Sequence, residues 1–494
     1  MRKRTKLMRT ALALLVLSCL SYGPDSVPAR VGGVAREDPE DIRGRALLDI
    51  AAAVDGQMGA DLTLRLLEAN QLRSRRLRRE ACDVVRLRMT DAVEPCAVEF
   101  TDGRFADCRE WLVYSALDTY QVDAIGLRCR LSAHLAETEP RSALEFLLEM
   151  PPGLGLKAPE CRDVLLPKPA HFYATLGQLL NRGISPRERK AGRHVDIVRR
   201  YAAGIRTAGD IGPVCELIGS IKATRDGVGL MATDLAGAMD RMTASPRQVF
   251  QLASRKRAVE SMATLIESLG DQDGAGKRLR ESIRNLVLRS LAAPRCADLS
   301  GDALPEPVAY FNEMILASHP IVRDDVTNPV RGDVAEIGVL WTSTTSRRLL
   351  FDFQNLNTAR REMEPGADWT EWTLEYRKYL SRVRNWSSAD ESSDLDYVSQ
   401  KASTIVGLVD IAPDDASRLE AIRDFVTMMR HAKTAGTPRY LALWQASIVL
   451  GRASEADRKM ALELFKASGP DVLAAYAALQ LEGIDVFRIE RSVA

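Results

Sequence analysis

Between Val398 and Met429 the chain reads VSQKASTIVGLVDIAPDDASRLEAIRDFVTMM, and the order of its apolar residues decides the fold. Val398, Ala402, Ile405, Val406 and Val409 recur at the intervals that place side chains on one face of an α-helix, and Leu419, Ile422, Phe425, Val426 and Met429 do so again. Between the two stripes, Ala412-Pro413-Asp414-Asp415 supplies a helix terminator and then acidic residues suited to a new helix N-terminus. The stretch predicts two helices folded back on one another as an antiparallel hairpin.

The same pattern extends outward in both directions. Tyr440 to Leu450 closes at Gly451, Ser454 with Asp457 reads as a capping box, and Ala461 to Phe465 continues a helix that Gly469-Pro470 ends. Near the other end, Leu47, Ile50, Ala51, Val54 and Met58 form one stripe that predicts a single helix ending near Gly59. Ala124, Leu127, Leu131 and Leu135 form the next, and Pro140 opens a helix that Pro151-Pro152 stops. Strand-like alternation of similar quality occurs only around Val98-Glu99-Phe100-Thr101-Asp102-Gly103-Arg104-Phe105, where Asp-Gly predicts a small β-hairpin near 97–108.

Three distant segments share one phrase of small, Leu, charged, apolar, apolar: Thr63 to Leu67, Ala143 to Leu147 and Ala461 to Phe465. The phrase resembles the second helix of tetratricopeptide-type hairpins, although the full signature of about 34 residues with its Trp, Gly-Tyr and terminal Pro positions is not met. The resemblance implies an all-α fold of αα-hairpin repeats, solenoid-like or an irregular helical array, without membership of that family.

Three boundaries divide the chain into four segments. We expect a signal peptide over 1–29, a flexible segment over 30–40, a cysteine-containing helical domain over 41–300 and a cysteine-free helical domain over 301–494. The first division rests on Arg2, Lys3, Arg4, Lys6 and Arg9 ahead of the apolar run Ala11 to Leu20, which has signal-peptide length, and on Val27-Pro28-Ala29 as a cleavage site. Val16-Leu17-Ser18-Cys19 also resembles a lipobox, which would make Cys19 a lipidation site. The main later division follows Asp302 to Pro307, rich in proline, and the last cysteine, Cys296.

Composition narrows the function classes. Hydrophobic residues at 46% and charged residues at 27% exclude global disorder and a polytopic membrane protein. Lys plus Arg number 68 against 67 Asp plus Glu, so no field of one sign steers nucleic acid or a membrane surface. Arg73, Arg75, Arg76, Arg78 and Arg79 form the densest basic run after the N-terminus, yet they wrap a helix next to Glu68, Glu80 and Asp83 and read as a solvated face.

In an exported protein, the cysteines after Cys19 read as disulfide partners. Cys82, Cys96, Cys108, Cys129, Cys161, Cys215 and Cys296 make an odd set, so one thiol stays free or pairs between chains. Only Cys96 and Cys108 have a local argument, since they bracket the expected hairpin, where a bridge needs a bulge or a longer loop.

Motifs that carry chemistry are sparse. His134, His171, His194, His319 and His431 include no HExxH spacing, and His171 and His319 lie nearest to breaks. Gly270 to Arg278 imitates a phosphate loop, but its glycine spacing is long and Arg278 stands where Mg²⁺ needs Ser or Thr, so an inter-helix turn fits better. Trp369, Trp372, Tyr376 and Tyr379 form a helical aromatic stripe, either core packing or a surface for a partner.

These readings converge on an exported, non-catalytic helical-repeat protein that binds another protein or acts as an envelope scaffold, with no cofactor and no nucleic-acid partner expected. It would meet a membrane only through the signal peptide or a lipid anchor. Two alternatives stand beside it: a helical hydrolase or lyase acting on envelope polymers, and a lipid-anchored structural envelope protein.

Overall fold

The computed structural model describes residues 38–90, 98–100, 122–156, 165–167, 169–244, 256–270, 274–293, 306–322, 325, 343–364, 368–390, 394–432, 439–468 and 471–487. Among the described residues there are 20 α-helices. The N-terminal group comprises α1 (Pro39–Ala52), α2 (Gly56–Glu68), α3 (Arg75–Thr90), α4 (Ala124–Leu135) and α5 (Pro140–Leu147). Next come α6 (Ala170–Gly183), α7 (Pro186–Lys190), α8 (Arg193–Gly204), α9 (Ile211–Ser220), α10 (Arg225–Arg241), α11 (Lys256–Leu269), α12 (Gly274–Ala292) and α13 (Glu306–Met314). The series ends with α14 (Thr344–Glu362), α15 (Thr370–Asn385), α16 (Asp394–Ile411), α17 (Asp415–Ala432), α18 (Arg439–Arg452), α19 (Glu455–Ser468) and α20 (Asp471–Leu481).

Helices pack on the next in the chain and on the one after that. The rows α2–α4–α6–α9–α11–α13 and α8–α10–α12 run side by side, and α14–α16–α18–α20 runs beside α15–α17–α19. Such two-layer stacking follows from amphipathic rods that cannot bury their apolar stripe alone and do so against successive neighbours. The hairpin expected from Val398–Met429 is α16 and α17, with the Asp414 carboxylate accepting the Ser417 amide at 2.6 Å as an N-cap. The Ser454–Asp457 cap is also present: the Asp457 amide donates to Ser454 Oγ at 3.2 Å.

One local expectation changes. The stripe from Leu47 to Met58 spans two helices, not one: the chain leaves α1 after Ala52 and starts α2 at Gly56, with Asp55 extended at its N-cap. A Cβ on Gly59 would lie 2.0 Å from the Val54 carbonyl oxygen, so α2 runs back against the end of α1 at a distance only glycine allows. Leu47, Ala51, Val54 and Met58 are buried all the same, because the break preserves which residues face the core. The expected strand is present at Val98–Phe100, and it pairs antiparallel with Leu165–Pro167, with Val98 opposite Pro167. Residues 101–121, which hold the other half of the expected hairpin and Cys108, lie outside the described residues.

The buried apolar residues fall into two clusters that run across residue 300. One extends from α4 through α13 to Ile321. The other joins α1–α4 and Phe146 to residues of α14–α20 and the tail through Phe487. Helix α4 is the wall between them, giving Ile125 and Cys129 to one and Leu127 and Leu131 to the other. Each fully buried Leu or Phe contributes roughly 1.5–3 kcal/mol to holding its cluster together.

Helices α2, α4 and α20 meet through polar groups within the second cluster. Asp61 on α2 is fully buried and accepts Arg65 Nε at 2.9 Å, Arg130 of α4 at 2.5 Å and the Tyr476 hydroxyl of α20 at 2.5 Å. Arg65 also donates to the Asp485 carbonyl oxygen at 3.2 Å, and Arg130 holds Glu68 at 2.8 Å. Burial alone would raise the Asp61 pKa, but the two guanidiniums and the phenol outweigh it and hold the carboxyl well below the usual range.

Candidate functional site

The aromatic stripe lies on α15 and at its entry, and most of it faces inward. Trp372, Tyr376 and Tyr379 are buried, and each polar tip donates to a backbone carbonyl: Trp372 Nε1 to Leu356 at 3.1 Å, Tyr376 to Leu408 at 3.1 Å and Tyr379 to Leu349 at 2.8 Å. Burial pushes both phenols well above their ordinary pKa, so they stay neutral. As an open aromatic surface the stripe therefore reduces to Trp369, which is 39% exposed and stands edge-on to Trp372 with ring centroids 5.6 Å apart. The physical reason is the spacing itself: a stripe regular enough to read as one helix face is the face a stacked helix buries.

Against Trp372 and Tyr379 of that stripe, α14 and α15 enclose a groove of about 550 Å³. Leu356, Ala359 and Met363 of the α14 side face Trp372 and Tyr379 of α15, and Asp352, Asp368, Glu371, Glu375, Lys378 and Arg382 supply its charges. Lys378 pairs with Glu375 at 2.6 Å, and Arg382 pairs with Asp352. The carboxylates escaped the sequence reading because they occupy the polar side of an ordinary amphipathic helix. Only the approach of α14 makes that side the wall of a groove.

A larger cavity of about 1100 Å³ lies against α9 and α11. Its lining is hydroxylated and mixed in charge, with Ser220, Ser261, Thr264 and Ser268 beside Glu216, Glu260, Arg225 and Arg257. Glu216 is bound within it, taking Arg257 at 2.8 Å and the Ser261 hydroxyl at 3.1 Å.

Other singled-out residues take structural places. His171 and His319 are exposed and line neither groove, while His194 is buried with Nε2 3.0 Å from the Lys222 carbonyl oxygen, so that nitrogen carries the proton. His431's side chain lies outside what the structure describes. The basic run opens α3 with Arg75, Arg76, Arg78 and Arg79 exposed, as a solvated face. Gly270 adopts a left-handed φ of 76° at the end of α11 and α12 begins at Gly274, which makes the loop an inter-helix turn. Among the described residues no group of three His, Cys, Asp or Glu side chains is placed to hold a metal ion.

The disulfide expectation is corrected for three cysteines. Cys82, Cys129 and Cys215 are free thiols packed inside helices α3, α4 and α9. Burial pushes the Cys129 thiol up to about 12 and raises those of Cys82 and Cys215, so all three remain protonated fillers of apolar space. Cys96, Cys108, Cys161, Cys296, Cys19 and the expected signal peptide lie outside the described residues. No described helix is long and apolar enough to cross a membrane.

A second buried carboxyl sits at the entry to α9. Asp210 closes the turn Ala208–Asp210, taking the Thr207 amide and hydroxyl at 3.2 and 2.8 Å and the Tyr173 hydroxyl at 3.1 Å. With no cation facing it in that set, burial outweighs the hydrogen bonds and raises its pKa to about 6.

No family model matches the chain, and no curated protein does. A solved structure described as "Circular tandem repeat protein with novel repeat topology and enhanced subunit contact surfaces" aligns with 13% identity over 90% of this chain and 84% of its own, at a TM-score of 0.16. At that score the likeness carries no weight. The stacked helices themselves are an architecture of scaffolds and binding modules.

Proposed function

We propose that the chain acts as an exported, non-catalytic helical scaffold that holds a partner protein, with the α14–α15 groove as its contact. The observation that carries this reading is the groove's composition, an apolar and aromatic floor beside a charged rim, which is the mixture of anchor and orienting groups that protein interfaces use. Export rests on the basic and apolar N-terminal sequence alone.

Two measurements test it on the full chain expressed in a bacterium. Mass spectrometry of the mature N-terminus should find a start near Arg30 and an unmodified chain; a start at an acylated Cys19 would move the protein to the lipid-anchored reading, and an intact Met1 would end the export proposal. Chemical cross-linking in the envelope fraction should then yield one stoichiometric protein partner. Turnover of purified envelope polymer by the isolated chain would replace the scaffold with the hydrolase or lyase alternative.

A further inference from the structure

We infer that the cavity between the start of α17 and the α18–α19 turn binds an oxyanion of the phosphate class, held by the guanidiniums of Arg418, Arg452 and Arg458. The cavity measures about 680 Å³, and among the described residues that line it these three arginines meet a single acid, Glu455. Gly451 and Ala453 are the apolar members of that lining, so a hydrophobic ligand finds no floor there. None of these residues lines the α14–α15 groove, and the inference therefore stands or falls apart from the partner reading.

Each arginine is anchored on one edge and open on another. Arg458 Nε donates to the Leu450 carbonyl oxygen at 2.9 Å and its Nη2 to that of Ala453 at 3.3 Å, which fixes the guanidinium against the end of α18 without neutralising it. Arg418 Nη1 is taken by Asp415 at 2.5 Å and approached by Asp457 at 3.6 Å, and Arg452 Nη1 is taken by Asp410 at 2.9 Å. Those three acids lie outside the lining. Among the described residues, Nη2 of Arg418, Nη2 of Arg452 and Nη1 of Arg458 keep N–H groups that no acceptor of the chain takes. Arg418 Nε is in addition buried with no acceptor, so the hydrogen bonding of this guanidinium is incomplete in the chain alone. A phosphate group presents at least three strong acceptor oxygens and up to two charges, enough to take a donor from each arginine at once. The two oxygens of a carboxylate would leave one guanidinium unmet. The α19 N-terminus is not the source of the attraction, because Ser454 Oγ already accepts the Asp457 amide at 3.2 Å.

The test titrates inorganic phosphate into the full chain in chloride buffer at neutral pH by isothermal titration calorimetry. Phosphate should fill one saturable site, and acetate should bind about tenfold more weakly or worse. Arg458→Met and Arg452→Met should each weaken phosphate binding by about tenfold or more, the loss of one hydrogen-bonded charge. Arg452 is exposed, so its variant keeps the fold by circular dichroism even where Arg458→Met loosens the end of α18. Arg361→Met removes the same charge from an exposed site of α14 outside the cavity and should change nothing. A second arm floats the chain with phosphatidylcholine vesicles that contain or lack phosphatidic acid. Capture that free phosphate competes away assigns the bound group to a lipid headgroup, and no capture assigns it to a soluble anion. Absence of saturable phosphate binding, equal binding of acetate, no weakening by Arg452→Met, or equal weakening by Arg361→Met would each overturn the inference.

Discussion

The two apolar clusters are built from the same kind of helix, yet they are assembled differently. The one from α4 to α13 is filled by helices that follow one another along the chain, whereas the other is filled by α1–α3 and α14–α20, brought together from opposite ends. The buried ion network belongs to the second: Asp61, Arg65 and Arg130 meet Tyr476 where α2, α4 and α20 converge. The difference teaches that neighbours in sequence need only matching apolar stripes, because local stacking leaves few alternatives. Ends separated by hundreds of residues have many apolar surfaces to choose from, and a buried charge that is satisfied in one arrangement alone penalises the others.

The sharpest way to break this comparison is Asp61→Ala, which leaves the buried Arg65 guanidinium without a carboxylate and Arg130 with Glu68 alone, and should cost about 3–5 kcal/mol. Hydrogen exchange read helix by helix should show α1–α3 and α18–α20 losing protection while α8–α12 keep theirs; equal losses in both would make the clusters one cooperative unit. The second effect lies in the sequential cluster and is a pH dependence. Because the folded pKa of Asp210, about 6, is above its ordinary value of 3.8, the folded state binds the proton more tightly. Its contribution is full below pH 3.8 and is lost as the pH rises through 6, a change of about 2–3 kcal/mol. Urea titrations at pH 4 and pH 7 should show that Asp210→Asn removes this difference, while the wild-type chain retains it.

A smaller loss tests the joint from its other side. Tyr476→Phe keeps the ring and removes one hydrogen bond to a charged acceptor, so the urea midpoint should fall by an amount equivalent to about 1.5–3 kcal/mol. Combined with Asp61→Ala it should add almost nothing, and full additivity would show that the two side chains act independently. The smallest effect is expected at Gly407 on α16, where an added Cβ would lie 2.6 Å from Phe353 Cζ of α14. Since the clash is with the end of a partly buried ring that can turn aside, Gly407→Ala should cost about 1 kcal/mol or less by thermal melting. A larger loss would mean that α14 is held more rigidly than its position at the groove requires.

Much of the helical order was legible because apolar periodicity, proline and caps act within a few residues. The hairpin of α16 and α17, Pro140 at the start of α5 and the Ser454 cap of α19 all follow from that local chemistry. The break at Ala53–Asp55 was not legible, since Leu47, Ala51, Val54 and Met58 keep helical spacing across it. The groove was legible only through its aromatic members. Its carboxylates look like any solvated helix face until α14 stands opposite them.

One repeated phrase separates the two contributions most clearly. In each of Thr63 to Leu67, Ala143 to Leu147 and Ala461 to Phe465 the sequence by itself determined a helix whose small residue and Leu turn inward, and all six of those side chains are buried. At the charged centre of the phrase the outcomes diverge: Glu145 and Glu463 face solvent, while Arg65 is only 6% exposed. Side-chain direction on a helix is set by local geometry, so the apolar pattern suffices for it. Whether a charge can be buried depends on how its partners are held: the counter-charge of Arg65, Asp61, stands one turn back on the same helix, and only the tertiary structure brings Arg130 and Tyr476 to bind that carboxylate out of water.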